Sequence, residues 1–306
     1  MSAHDRKGRG VKPSILERIL GVRITREQLK AFGKDIAWVL VAFFFLNSFV
    51  LASFEVPTGS MENEILPGDF LFVNKFLYGG STPRTIPATN IRIPWFRLPE
   101  FRSVERGDVI VFEFPGYRDS LRSSEFTFYL KRAIAIAGDT LEIRNRVVYI
   151  NGVASPLPRN LVYRTVHPRS HAERDPQIFP PGSGFNKDHW GPMRIPAKGD
   201  VIELTRENFV QWAVFVGREG HSIALDAERG VLVDGEPATR YVVERSYIFG
   251  MGDNRDNSLD SRFWGFIPED HIIGTPMVIY WSIPVEESWP AKLAAIRFGR
   301  IGTIIR

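Results

Sequence analysis

Cysteine is absent from all 306 residues. That excludes a disulfide framework, a thiol nucleophile and any Cys-ligated metal, and it is compatible with an oxidising compartment. Histidine is scarce: His4, His167, His171, His189, His221 and His271, none of them in an HExxH arrangement. His167 and His171 are four apart but lie among Pro, Arg and Ser, so no metal or other cofactor is expected. A basic body is lacking too. The net charge is +4, yet residues 1–35 hold nine Lys/Arg against four Asp/Glu, a net +5, which leaves −1 for the rest. No nucleic-acid partner is therefore expected.

Long apolar runs are rare. Ile36–Phe54, IAWVLVAFFFLNSFVLASF, is nineteen residues without a charge. As a helix rising about 1.5 Å per residue it just spans a hydrocarbon core of roughly 30 Å. The run is too long for a signal-peptide core and the basic stretch before it too extended, so an uncleaved anchor is expected. The basic flank places the N-terminus in the cytoplasm and the body outside it. Ile15–Leu20 has a weak amphipathic pattern that fits a short helix on the membrane surface. Ile272–Trp281 is short and interrupted by Gly274 and Pro276, and reads as a buried strand.

Beyond the anchor the chain is β-like. Turns such as Pro67-Gly68-Asp69 and Arg106-Gly107-Asp108 lead into apolar runs such as Phe70–Val73 and Val109–Phe114. Phe126–Ile136, Thr140–Ile143 and Val147–Ile150 continue the pattern, and Asn151-Gly152 is a hairpin signal. Residues 154–195 are rich in Pro, Arg and His and read as an insertion; Val201–Leu204 and Val231–Val233 resume strands. The C-terminal stretch mixes Lys292, Arg297 and Arg300 with Leu293, Ile296, Phe298 and Ile301. It fits a membrane-surface segment and a docked tail equally well.

Three places can carry chemistry. Ser60 sits on the Pro57/Gly59 turn, six residues beyond Phe54. A serine hydroxyl is a weak nucleophile without a base. No histidine has a suggestive setting, so lysine is the alternative, provided burial lowers its pKa. Lys131, in Phe126–Ile136, shares a strand face with Thr127, Tyr129, Ala133 and Ala135, which leaves room beside the amine in largely apolar surroundings. The third place, Gly252–Arg262 (GDNRDNSLDSR), is dense in charge between aromatic flanks. Its spacing fails the EF-hand pattern, and a network of Asp–Arg pairs bracing a site fits better.

These stretches resemble the type I signal peptidases (leader peptidases), a family of membrane-bound Ser/Lys endopeptidases. The resemblance rests on Val56-Pro-Thr-Gly-Ser-Met61, Pro67-Gly-Asp69, Arg106-Gly-Asp-Val-Ile-Val-Phe112, Tyr129-Leu-Lys-Arg132 and Met251–Pro268. With the anchor it covers Ile36–Asn151 and Tyr247–Ser282. It implies Ser60 as nucleophile, Lys131 as general base, and the Ser60 N–H with the Thr58 hydroxyl as the oxyanion site. It implies that Ser258 orients the Lys131 amine and that Arg132, Asp253, Arg255, Asp260 and Arg262 brace the loop. Phe54, Val56, Met61, Ile65, Tyr129 and Leu130 would line shallow pockets for small residues of an Ala-x-Ala signal. The substrate would lie extended as an added strand. Asn63 and Glu64 depart from the family's usual Pro and Thr, and Glu64, near the mouth, is expected to shift substrate preference.

The expected fold is mainly β: a single transmembrane helix, then an extracytoplasmic all-β catalytic domain with an inserted second β subdomain. The boundaries are a cytoplasmic tail 1–35, an anchor 36–54, a core 55–153 plus 247–289, an insertion 154–246 and a tail 290–306. The expected protein is a monomer in the bacterial cytoplasmic membrane. It cleaves signal peptides from exported preproteins through an acyl-enzyme, with the lipid bilayer and those signal peptides as its partners. The alternatives are a specialised maturation protease of the same fold and a catalytically inactive membrane-tethered binding domain.

Overall fold

The computed structural model describes residues 25–86, 89, 91–285 and 294–305. The helix expected at Ile15–Leu20 lies outside them, as does most of the basic tail. The chain forms two compact units, Met1–Asn47 and Ser48–Arg306.

In the first unit, helix α1 runs Arg26–Phe45. It starts in a capping box: the Thr25 hydroxyl accepts from the Gln28 N–H at 3.2 Å, and the Gln28 side chain accepts from the Thr25 N–H at 3.0 Å. None of its residues is buried. A π-helical turn, Leu46–Val50, follows. The expected continuous anchor is corrected here, because Leu51–Phe54 belong to strand β1, Leu51–Glu55, rather than to a helix. β1 pairs antiparallel with β2, Asp69–Asn74, from Leu51↔Asn74 to Glu55↔Phe70. Sheet pairing satisfies these backbone groups, while side-chain alternation buries Ala52 and exposes Ser53. Among the described residues no helix is long and apolar enough to cross a membrane.

The second unit is built on a seven-stranded antiparallel sheet. Its other strands are β3 (Val109–Glu113), β4 (Phe128–Ala135), β14 (Tyr247–Met251), β15 (Ile267–Pro268) and β16 (Ile272–Ser282). The order is β1-β2-β16-β3-β4-β14-β15. β3 is buried along its whole length. Alternation sends Val109 and Val111 to one core with Met61, Ile65, Leu71 and Ile279, and Ile110 and Phe112 to another with Ala133, Trp264 and Ile267. A strand covered on both faces needs no polar alternation, which explains its unbroken apolar run.

A second sheet has the order β7-β6-β5-β8, from β5 (Thr140–Arg144), β6 (Val147–Ile150), β7 (Val153–Ala154) and β8 (Trp190–Arg194). This second sheet starts at Thr140, inside the stretch 55–153 expected for the core. The inward residues Leu141, Ile143 and Val148 share one apolar cluster with Trp190, Phe215 and Phe249, so the hairpin packs with the inserted residues. The insertion is also not purely β. Between β9 (Val201–Glu203) and the hairpin of β10 (Ile223–Asp226) and β11 (Gly230–Val233) it carries helix α2, Phe209–Arg218. Two short strands, β12 (Glu236–Pro237) and β13 (Arg240–Val242), lead back to β14, and a short helix α3, Ser261–Trp264, precedes β15.

The described part of the C-terminal tail docks on this unit. Ile279 N donates to Thr303 O at 3.0 Å and Ile305 N to Met277 O at 2.9 Å. Arg300 grips the buried Asp69 carboxylate through Nε at 3.0 Å and Nη2 at 2.6 Å.

Candidate active site

Ser60 lies on the turn after β1, closed by Glu62 N to Gly59 O at 3.1 Å and Ile65 N to Met61 O at 3.0 Å. Asn63 takes a φ of 90°, a left-handed conformation that asparagine tolerates. Lys131 comes from the middle of β4, and its Nζ donates to Ser60 Oγ at 2.7 Å and to Leu130 O at 3.0 Å. Both side chains are buried. Burial disfavours the ammonium and pushes the Lys131 amine down to about 8; Asp260 and Asp253 oppose that fall and Arg262 adds to it. Among the described residues nothing accepts from the Ser60 N–H, and Thr58, two residues before it, is exposed.

The expected bond from Ser258 to Lys131 is not present. Ser258 Oγ is buried without a hydrogen-bond partner of ordinary geometry, although it stands near enough to Asp260 to help hold that carboxyl ionised. Its position beside Ser60 is set by close approach at Gly252. A Cβ there would stand 2.3 Å from Ser258 Oγ and 2.5 Å from the Ser60 carbonyl oxygen. Asn254 N also donates to that carbonyl, at 3.0 Å.

The charged network forms around this loop. Arg132, next in sequence to Lys131, holds Asp253 through Nε (2.9 Å) and Nη2 (2.7 Å), and donates to Gly107 O at 2.8 Å. Arg262 holds Asp260 through Nε at 2.9 Å and Nη2 at 2.8 Å, and bonds Arg255 O at 2.7 Å. Glu64 is corrected from its expected place at the mouth: its side chain is 8 % exposed and pairs with Arg132 at 2.7 Å. It therefore belongs to the support. Arg255 is buried, and its Nε and Nη1 have no partner.

A cavity of about 760 Å³ opens at Ser60 and Lys131. Phe54, Val56, Met61, Tyr129 and Leu130 line it, with Ser258 and Asp256 across from them. Ile65 does not; it is fully buried in the core behind Met61. Along β4, β14 pairs only from Arg132 to Ala135, whereas β3 pairs from Phe128 to Arg132. The β14-side edge of Phe128–Lys131 is thus left open beside the cavity.

A strap from the insertion, with no signature in the sequence, also reaches this loop. Val162 N donates to Asp253 O at 2.9 Å and Arg255 N to Val162 O at 3.0 Å. The Asp256 carboxylate accepts from Arg164 N (2.8 Å), Thr165 N (2.9 Å) and Thr165 Oγ1 (2.8 Å), and pairs with Lys187. Arg164 also pairs with Glu62, two residues after Ser60, and Glu62 accepts from Asn254 Nδ2 at 2.9 Å. No local signal in the sequence marks these pairings.

A buried serine hydroxyl against a lysine of depressed pKa, next to an open strand edge, has the chemistry of a serine hydrolase acting on extended chains. The family model described as Signal peptidase, peptidase S26, matches residues 29–281, and the chain belongs to that family of serine peptidases. It is 29% identical to the signal peptidase I of Buchnera aphidicola subsp. Schizaphis graminum over 301 residues, covering 94% of this chain and 86% of that one. It is also 29% identical to the signal peptidase I of Aquifex aeolicus, over 85% of this chain and 88% of that one. A crystal structure of a signal peptidase I from Enterococcus faecalis overlays with a TM-score of 0.26 at 18% identity, covering 57% of this chain and 97% of that one. That overlay is too loose to bear on the fold.

Proposed function

We propose that the protein is a membrane-anchored endopeptidase that removes signal peptides from exported preproteins after small residues, using Ser60 and Lys131. The observation that carries this reading is the 2.7 Å contact between Lys131 Nζ and Ser60 Oγ with the amine buried. Neutral Lys131 takes the Ser60 proton as Oγ attacks the scissile carbonyl. The Ser60 N–H and the Thr58 hydroxyl hold the oxyanion. The ammonium then returns its proton to the departing amine, leaving an acyl-enzyme on Ser60. A water, deprotonated by the same amine, attacks the ester; the C–Oγ bond breaks, the ammonium returns that proton to Ser60 Oγ, and the acid is freed. Asp253, Asp260, Arg132 and Arg262 hold the loop, and Ser258 stands beside the pair.

The substrate lies extended along the open edge at Phe128–Lys131, which supplies main-chain hydrogen bonds. Phe54, Val56, Met61, Tyr129 and Leu130 leave shallow room, which suits Ala-x-Ala. Membrane association is supported by Ile36–Phe45 of α1, apolar and without a buried residue. The name signal peptidase I of the relatives points the same way. The test is cleavage of a preprotein with an Ala-x-Ala site by purified enzyme. Ser60→Ala and Lys131→Ala are expected to abolish it; cleavage at the parent rate by either variant sinks the mechanism.

A further inference from the structure

A second cavity, of about 860 Å³, shares no lining residue with the one at Ser60. This is within the size range of small-ligand sites, roughly 300–1,000 Å³. Its apolar wall is formed by Ile134, Val148, Ile150 and Leu157. Its charged lining is Arg106, Arg132, Arg159 and Arg255 against Glu64 alone. Two of these cations are satisfied: Arg132 by Glu64 and Asp253, and Arg106 by Asp139. Arg159 and Arg255 have no acidic partner among the described residues.

Arg255 is the telling one. It is 2 % exposed, and its Nε and Nη1 make no hydrogen bond. Its polar side-chain neighbour is the Tyr163 hydroxyl, while the nearby Asp253 and Asp260 are engaged by Arg132 and Arg262. A buried guanidinium without a counter-ion is costly, and a planar donor set of this kind matches a carboxylate or phosphate. We propose that this cavity binds an amphipathic anion. Its carboxylate or phosphate head pairs with Arg255 and Arg159, and its apolar chain lies along Ile134, Val148, Ile150 and Leu157.

The probe is dodecyl phosphate, below its micelle-forming concentration, titrated calorimetrically into the full-length protein in the neutral detergent dodecyl maltoside. One saturable site is expected. Losing a charged contact in Arg159→Glu weakens it about ten-fold or more. Leu157→Asp, at an exposed position, weakens it to a similar extent. Inorganic phosphate, without the chain, binds roughly 100-fold more weakly. Arg255→Gln removes binding if it folds; the two exposed variants decide the matter if it does not. Ser60→Ala binds like the parent, which separates this site from the peptidase reading. No saturable binding, or unchanged affinity in both Arg159→Glu and Leu157→Asp, overturns the proposal. Phosphatidylglycerol vesicles that displace the probe make a bilayer lipid the source of the anion, and vesicles that do not make it a free single-chain molecule; both support the site.

Discussion

Lys131 and Arg132 are neighbours on β4 with opposite assignments: the Lys131 amine donates to Ser60 Oγ at 2.7 Å, and the Arg132 guanidinium holds Asp253 at 2.7 Å. Strand alternation sends them to different faces, so one dipeptide supplies both the proposed base and a brace for the Gly252–Arg262 loop.

The base predicts a pH profile. With its pKa lowered to about 8, Lys131 is mostly protonated at neutral pH. Log kcat/KM for preprotein cleavage rises with pH and levels above about 8. A flat profile from pH 6 to 10 would falsify Lys131 as base.

Stability carries the matching sign. The folded pKa, about 8, lies below the ordinary 10.5, so between them the unfolded chain binds more protons and stability rises with pH. Below about 8 both states hold the proton and the burial cost is fully present. Lys131→Met is therefore more stable than the parent at pH 7, by on the order of 1–3 kcal/mol. The gap closes towards pH 10, which urea midpoints at the two pH values measure.

Gly252→Ala tests close approach. Its backbone is not in the left-handed region, so the clash with Ser258 Oγ and the Ser60 carbonyl is the whole effect. Displacing the nucleophile by a fraction of an ångström lowers kcat on the order of 100-fold, while the protein stays folded. Parent-like kcat would mean that the loop yields freely.

Arg132 joins Asp253 and Glu64 in a buried cluster. Arg132→Met removes the guanidinium that both carboxylates share and costs about 3–5 kcal/mol in denaturant unfolding. Glu64→Gln keeps a hydrogen-bond acceptor and costs less. Equal losses would place Glu64 at the centre of the cluster.

Asp256 ties the Gly252–Arg262 loop to the insertion through Thr165, Arg164 and Lys187. Asp256→Asn lowers kcat about ten-fold, the worth of one charged contact, with KM little changed. A looser loop admits water to Lys131, so the acid limb of the profile also moves to higher pH. Thr165→Val shows the same signature more weakly. A change in KM alone would assign Asp256 to substrate contact instead.

Much of the site was legible in the sequence because its cues are local. The turn at Pro57–Gly59, the alternation around Lys131 and the density of Gly252–Arg262 are properties of a few consecutive residues. The β-rich body was legible for the same reason, from period-two runs between glycine turns. The end of the apolar run was not. Leu51–Phe54 are apolar enough for a helix, and pairing with Leu71–Asn74 made them a strand. Glu64 and the Asp256 strap are not legible locally because their partners are distant in the chain; Glu64 meets Arg132 across 68 positions and Asp256 meets Thr165 across 91.

The sequence by itself determined the residue types of the chemistry, the mainly β body and the absence of any thiol. The tertiary structure decided which acid serves which arginine, where the second sheet begins and which guanidinium is left without a partner. Composition and periodicity report on neighbours along the chain, whereas ion-pair choice and burial depend on contacts that exist only once the sheets have closed.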